Sequence, residues 1–246
     1  MKPDAVVGAG LPSEYFQKQL DQLASMDIPV IEWSSGIKPV KDKLWVAVDD
    51  PIYEASGIQT AEFIAHDADM AANVVSFSVP QYPMPEIWLE NMEQYMDVIC
   101  EDCSFDRQEA ALTDIGSLGQ KVTAYLQKNP DTKYVLCGFG DLCQGVGQAL
   151  QTAGNDDVKV ITRDQATTNL QNISNGTEFA ATGLSIGQTG WQIVDLAQRI
   201  FNEDNTELTR LAPQQIITEV PDPSSDVIGA VPDYKDQYRK LWLLDQ

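Results

Sequence analysis

Between Lys133 and Gly176 short apolar runs alternate with longer amphipathic segments. The run Lys133 to Phe139 is followed by Gly140 to Gly154, whose apolar positions recur at helical spacing; Val158 to Ile161 then leads through Thr162-Arg-Asp164 into a helix closing at Gly176. Two strand-then-helix units in succession predict parallel βα units. Ligands of such sheets sit beyond the carboxyl ends of the strands, which makes Phe139, Asp141 and Asp164 candidate contacts.

The same alternation extends in both directions. Toward the N-terminus it predicts strands at Lys2 to Val7, Asp27 to Ile31 and Leu44 to Val48, with an amphipathic helix from Ser13 to Ser25. A helix from Ser56 to Ala65 follows, then strands at Asn73 to Ser78 and Asp97 to Cys103. Beyond the central units come a strand at Phe179 to Thr182, a helix from Gln188 to Asn202, a strand near Gln214 to Val220, the turn-rich Pro221 to Ser225 and a final helix from Tyr234 to Trp242. The loop Val79 to Glu86 holds three prolines, which end the preceding strand and stiffen the chain. Because it follows a strand end, this loop and its Tyr82 are expected to line a cleft. The fold class is α/β.

The wording of the central segment is narrower than this architecture. Asp141, Ala149-Leu150, Ala153-Gly154, the strand from Val158 to Asp164 and Ile173 to Gly176 follow one another as an acidic loop, a helix closing on Ala-Gly, a Val-rich strand ending in Asp and a helix ending in Gly. This ordered set resembles the second lobe of the type 1 periplasmic binding proteins, the sugar-binding receptors of ABC importers, which share their fold with LacI-type effector domains. The segments from Lys2 to Asp50 look like that family's third, fourth and fifth strands, so the resemblance covers nearly the whole chain. It implies two lobes with parallel doubly wound sheets: residues 1–50 plus 187–246 as a discontinuous first lobe and 51–186 as the second. Crossings near Asp50, Ile186 and Pro221 are the candidate hinges. Family members begin with two further βα units, so the first lobe is expected to be incomplete and inclined to self-associate, because an uncovered strand edge recruits another. A smaller α/β fold that never had those units is the other reading.

Composition sets bounds. The 246 residues are 43% apolar and 22% charged, enough for a core, and no run approaches the ~20 apolar residues of a membrane span. A formal net charge of -21 argues against nucleic acid, whose phosphates call for Lys and Arg stripes. Met1-Lys-Pro-Asp leads straight into the first strand with no apolar stretch, so no secretory signal is expected within this sequence. The four cysteines fall as Cys100-x-x-Cys103 and Cys137-x5-Cys143, and the single His66 is remote from both pairs. That spacing suits zinc poorly. A disulfide in an exported protein and buried thiols in an intracellular one both fit, and the connectivity cannot be read from spacing.

Among residues that could carry function, Asp164 stands first, since an ionised carboxylate accepts two hydrogen bonds from ligand hydroxyls; its alternative is to cap the following helix. Asp141 is more naturally a helix cap. Asp49 and Asp50 end a strand at a lobe crossing. Trp33, Trp88 and Phe139 sit at or beyond strand ends and Trp191 just after the last crossing, where aromatic faces could stack on sugar rings, and Tyr82 joins them from the proline loop; Gln188 lies at the last crossing. In the family the helix after the proline loop often carries a sugar-gripping Arg, and here Trp88 stands there, which points to a more apolar contact. No catalytic, cofactor or metal motif is present. The expectation is therefore a receptor, periplasmic or extracellular and open to lipid anchoring, that closes on a sugar-like small molecule and hands it to an ABC permease. A LacI-type effector domain, a membrane sensor and a flavodoxin-like enzyme are the rivals.

Overall fold

The computed structural model describes residues 3–10, 13–33, 44–46, 50–183, 185–206, 214–225, 228 and 230–244. Two sheets organise them. The smaller has three parallel strands in sequence order, β1 (Val6–Ala9), β2 (Val30–Trp33) and β3 (Leu44–Val46). Its register places Val6 opposite Val30 and Val30 opposite Leu44. Between β1 and β2 the chain makes a 3-10 turn, Ser13–Phe16, and then the helix α1, Gln17–Ser25. Both β1 and β2 begin two or more residues later than the apolar runs suggest, which brings Trp33 to the end of its strand.

The helix α2, Asp50–Asp67, carries the chain into a six-stranded sheet. Its strands are β4 (Asn73–Ser78), β5 (Ser104–Glu109), β6 (Tyr134–Cys137), β7 (Lys159–Arg163), β8 (Ala180–Gly183) and β9 (Gln215–Ile217), in the order β5-β4-β6-β7-β8-β9. The first five are parallel and β9 runs antiparallel to β8. All four residues of β6 and of β8 are buried, because helices cover both faces; a parallel strand in that position has no polar side to show. On one face Val74, Leu136 and Ile161 meet Ile64 of α2 and Trp88, Leu89 and Met92 of α3 (Pro83–Ile99). On the other, Val75, Val135 and Val160 meet Val122 and Leu126 of α4 (Leu118–Lys128) and Val146 and Leu150 of α5 (Val146–Thr152). The side to which each residue goes follows the two-residue period of a strand. Gly57, in the middle of α2, is dictated by packing: a Cβ there would lie 2.4 Å from the Trp88 carbonyl oxygen of α3.

Helix α6, Thr167–Asn175, leads into β8. Helix α7, Ile186–Phe201, returns to the smaller sheet, where its Leu196 packs on Ile31 of β2. Helix α8, Tyr234–Leu241, is held to α7 by Trp242 stacked on Trp191 at 5.2 Å between ring centres and by a 2.9 Å hydrogen bond from Trp242 Nε1–H to Asp195 Oδ1.

Two expectations need correction. Residues 97–99 finish α3 rather than open a strand: Trp88, Leu89, Met92 and Met96 keep helical spacing to the end, and the Cys100 N–H still bonds the Met96 carbonyl. The strand is β5, which begins only after the turn at Cys100 and Cys103. The strand expected near Gln214 to Val220, assigned to the returning first-lobe segment, is β9 and pairs with β8. Its Ile217, with Val220, packs on Leu170, Ile173 and Ala181 of the larger body, so hydrophobic burial draws this stretch there.

The four cysteines form two disulfides, Cys100–Cys103 and Cys137–Cys143. Among the described residues no helix is long and apolar enough to cross a membrane.

Candidate functional site

Parallel sheets present their ligand-binding loops beyond the carboxyl ends of the strands, at the point where successive connections pass to opposite faces. In the order β5-β4-β6-β7-β8 that point lies between β4 and β6. A cleft of about 360 Å³ opens there. The loop after β4 contributes Tyr82, Met84 and Pro85; the loop after β6 contributes Phe139 and Asp141; β7 and its end contribute Arg163 and Asp164. Leu112 completes this side, and the smaller sheet supplies the facing wall through Gly10 after β1 and Trp33 at the end of β2. Five of the residues read from the sequence thus converge on one cavity: Trp33, Tyr82, Phe139, Asp141 and Asp164.

Asp164 sits in the left-handed backbone region, at φ 53°. Aspartate tolerates that region better than most residues. The turn places its backbone N–H 2.6 Å from the Thr182 carbonyl and packs it against Gly183. A Cβ on Gly183 would lie 2.6 Å from Asp164 Oδ1, and Gly183 itself has φ +141°, so glycine is required twice over there. Asp164 does not cap α6. That helix begins after Ala166, whose N–H is accepted by Asn169 Oδ1 at 2.9 Å. Nor is Asp141 a cap: it lies inside the 3-10 turn Gly140–Cys143 and accepts from Gln144 Nε2 at 3.2 Å, while α5 starts at the left-handed Gly145.

The residue missed by sequence reasoning is Arg163. Its side chain is only 5% exposed and forms an ion pair with Asp164, Nη2 to Oδ2 at 2.8 Å. Nε–H donates to the Gly138 carbonyl at 2.9 Å, and the guanidinium lies 5.0 Å from the centre of the Tyr53 ring. An Arg closing β7 after Val160, Ile161 and Thr162, directly before a loop Asp, was the signal available.

The aromatic wall is ordered by its own contacts. Tyr82 and Phe139 meet edge to face at 6.0 Å, and Trp33 packs on the cluster of Ile52, Tyr53 and Met84. Trp88 is a correction: it is fully buried in the core between α2 and α3 and donates from Nε1 to Thr60 Oγ1 at 3.3 Å. It stands five residues into a helix that begins at Pro83, and that offset turns it onto the sheet. Gln188 is another, since its buried Oε1 accepts from the Val231 N–H at 2.7 Å and ties the segment before α8 to α7. Asp49 lies outside the described residues. Asp50 is the first residue of α2.

Behind the two acidic loops stands a buried polar buttress. Asn169 Nδ2 donates at 3.1 Å to the Gly140 carbonyl and to both oxygens of Glu178, and Asn172 Nδ2 donates to Glu178 Oε1 at 2.8 Å. One carboxylate therefore anchors the loop after β6 and, through Asn169, the loop after β7. Burial pushes its pKa up to about 7, against the lowering effect of the two asparagines. The Cys137–Cys143 disulfide closes the loop carrying Phe139 and Asp141 from the other side. Replacing both cysteines by Ala is expected to lower stability by about 2 kcal/mol in urea titration, the chain-entropy value for so short a loop. An unchanged midpoint would show that the bridge restrains nothing.

The cavity brings together aromatic faces, the buried Arg163–Asp164 ion pair and the Asp141 carboxylate between two sheets. Several solved structures share this architecture. An ABC transporter solute-binding protein from Agrobacterium vitis, bound with alpha-D-tagatopyranose, superposes with a TM-score of 0.77 at 18% identity, covering 93% of this chain and 80% of that one. A 5-methylthioribose transporter solute-binding protein from Thermotoga lettingae gives 0.74 at 16%, over 97% and 79%. A Bacteroides fragilis protein described as a LacI transcriptional regulator gives 0.73 at 18%, over 89% and 76%. At these identities the likeness speaks for the fold alone. No curated protein matches the sequence. The family described as periplasmic binding protein domain matches residues 1–205, most of the chain. The chain belongs to the periplasmic binding protein domain family, with its two-sheet α/β fold.

Proposed function

We propose that the chain is a solute-binding receptor of an ABC importer that captures a small, sugar-like molecule in this cleft. The observation that carries the reading is the convergence of Trp33 from the smaller sheet with Tyr82, Phe139, Asp141 and Asp164 from the larger one on a single cavity. Asp164 accepts hydroxyl hydrogens, and the aromatic wall packs on the C–H face of the ring. The smaller sheet with α7 and α8 forms one lobe and the larger sheet the other, with closure at the crossings near Asp50, Ile186 and Pro221. Closure removes the ligand from water, and the closed shape is what a permease recognises.

The two tagatose- and methylthioribose-bound relatives support a sugar as ligand. Two disulfides support an oxidising compartment, periplasmic or extracellular, over the cytosolic setting of a LacI-type regulator. Self-association would use β1, whose one strand neighbour among the described residues is β2 and whose Val7 is 52% exposed.

Thermal unfolding with D-tagatose, 5-methylthioribose, D-galactose, D-allose and L-arabinose tests the reading. At a hundredfold excess over Kd a true ligand adds about 2.7 kcal/mol to stability. At least one sugar should raise the midpoint in wild type and fail to do so in Asp164→Asn. No shift with any of them would overturn the sugar reading.

A further inference from the structure

The two disulfides stand at opposite ends of the larger sheet. Cys100–Cys103 closes the turn before β5, at the amino ends of the strands, whereas Cys137–Cys143 runs from the last residue of β6 into the loop beyond it. Only the second lies on the cleft side. The short loop that it closes carries Phe139 and Asp141, both of which line the cavity.

The two halves of that loop are held differently. The first is fixed from β7 and α6: Arg163 Nε–H donates to the Gly138 carbonyl at 2.9 Å, and Asn169 Nδ2 to the Gly140 carbonyl at 3.1 Å. Past Gly140 the hydrogen bonds stay within the turn. The Leu142 N–H donates to the Phe139 carbonyl at 3.1 Å, the Gln144 N–H to the Asp141 carbonyl at 3.3 Å, and Gln144 Nε2 to the Asp141 side chain at 3.2 Å. This half, which carries Asp141, is joined to the sheet by the buried Leu142 side chain and by the bridge itself. A covalent closure removes open conformations from a loop, so the bridge favours the ordered one.

Cys137 and Cys143 are both fully buried. A reductant therefore reaches their sulfurs only when the turn lifts off the sheet, and a ligand packed on Phe139 and Asp141 holds the turn down. Linkage makes the relation reciprocal. By whatever factor the bridge raises ligand affinity, the bound ligand stabilises the bridge against reduction.

We propose that the Cys137–Cys143 bridge is a positioning element of the binding loop, so that the oxidation state of this one disulfide and the occupancy of the cleft control each other. The proposal rests on the receptor reading given above and concerns the loop rather than the choice of sugar. Reduction by a dithiol is the switching step. One thiolate of the reductant attacks a bridge sulfur and forms a mixed disulfide, while the other bridge sulfur leaves as a thiolate. The reductant's second thiol then displaces the protein: the chain gains two electrons and two protons, and the reductant closes to a cyclic disulfide. The Asp141 half of the turn loses its covalent tie, whereas the Gly138 and Gly140 carbonyls keep their anchors.

Redox titration of the full chain in dithiothreitol buffers tests the coupling, with each bridge followed separately by thiol alkylation and peptide mass. The ligand is whichever of the five sugars named above binds in calorimetry. At saturation it should make the potential of Cys137–Cys143 more negative by about 30 mV, a tenfold change for a two-electron couple, and leave Cys100–Cys103 where it is. Calorimetry on variants reads the same factor from the other side. Cys137→Ala with Cys143→Ala should weaken that sugar about tenfold, and Cys100→Ala with Cys103→Ala by less than about twofold. Equal shifts at both bridges, or no shift at either while the sugar binds, overturn the inference and leave the receptor reading standing. If no sugar binds, the receptor reading falls, and hydrogen exchange on the ligand-free protein decides the positioning role. In Cys137→Ala with Cys143→Ala the Leu142 and Gln144 amides should exchange at least about tenfold faster than in wild type, with β6 and β7 unchanged. Unchanged protection in the turn overturns the inference. So does lost protection throughout the larger sheet, which would make the bridge a staple of the whole fold.

Discussion

Replacing Asp164 with alanine is expected to lower the stability of the fold by about 3–5 kcal/mol, the cost of leaving one member of a buried ion pair without its partner. A loop position facing a cleft would ordinarily tolerate such a change, and from sequence alone the fold is expected to survive it. The structure argues otherwise. Asp164 is the counter-charge of Arg163, whose side chain is 5% exposed and whose other polar and ring contacts among the described residues are the Gly138 carbonyl and the Tyr53 ring. Glycine at the same position separates two contributions. It removes the carboxylate but relaxes the left-handed backbone, so Asp164→Gly should recover the roughly 1 kcal/mol that alanine adds through conformation. The double variant Arg163→Met with Asp164→Gly should be more stable than Asp164→Gly alone, since an apolar side chain in place of a stranded guanidinium needs no partner. Urea titration of wild type and these three variants gives the comparison. A loss under about 1 kcal/mol for Asp164→Ala would mean that Arg163 finds another partner or reaches water.

That difference shows which part of the molecule was legible in the sequence. β4 lies where its run of Val and Phe predicts it, and β6, β7 and β8 nearly so, because strands buried on both faces are rich in apolar residues even where a Ser or Thr interrupts them. Their carboxyl ends follow at once, and with them Phe139, Asp141 and Asp164. Trp88 was misplaced for a geometric reason. Three prolines read as a loop through Glu86, whereas two of them, Pro83 and Pro85, occupy the first turn of α3, where the missing N–H costs nothing. Beginning the helix at Pro83 rotates Trp88 into the core. Gln188 failed because α7 starts at Ile186, and one turn into a helix a side chain faces its packing partners rather than the crossing. β9 could not be assigned to a sheet from sequence at all. Three residues, Gln215–Ile217, carry no signal of parallel or antiparallel pairing, and only the fit of Ile217 beside Ala181 decides it. Arg163 was readable as an anomaly, but its role depends on Gly138 and Tyr53, which are far away along the chain.

Glu178 should make stability fall as pH rises. Its carboxyl is 3% exposed, and burial raises its pKa from 4.5 to about 7 in the folded protein. The folded state thus holds this proton more tightly than the unfolded chain does. Below about pH 4.5 both states are protonated and the group is neutral in both. Between about 4.5 and 7 the unfolded chain releases the proton and the folded one keeps it, so stability declines with rising pH, by about 3 kcal/mol in all. Above the folded pKa the decline stops, and the buttress then holds a charged carboxylate on the amides of Asn169 and Asn172. Burial raises Glu32 as well, which adds a slope of the same sign. Asp114, lowered by the hydrogen bond from Lys121, contributes with the opposite sign but only at more acidic pH, outside this window. Glu178→Gln isolates the group. The variant should be less pH-dependent between 4.5 and 7 and, at pH 8, more stable than wild type in urea titration. Its effect should also reach the cleft, since the same carboxylate anchors the loops of Asp141 and Asp164 through Asn169, so any change in sugar affinity should follow the same titration. Parallel stability profiles for wild type and Glu178→Gln across the window would show that Glu178 does not titrate there and that the buttress is insensitive to its charge.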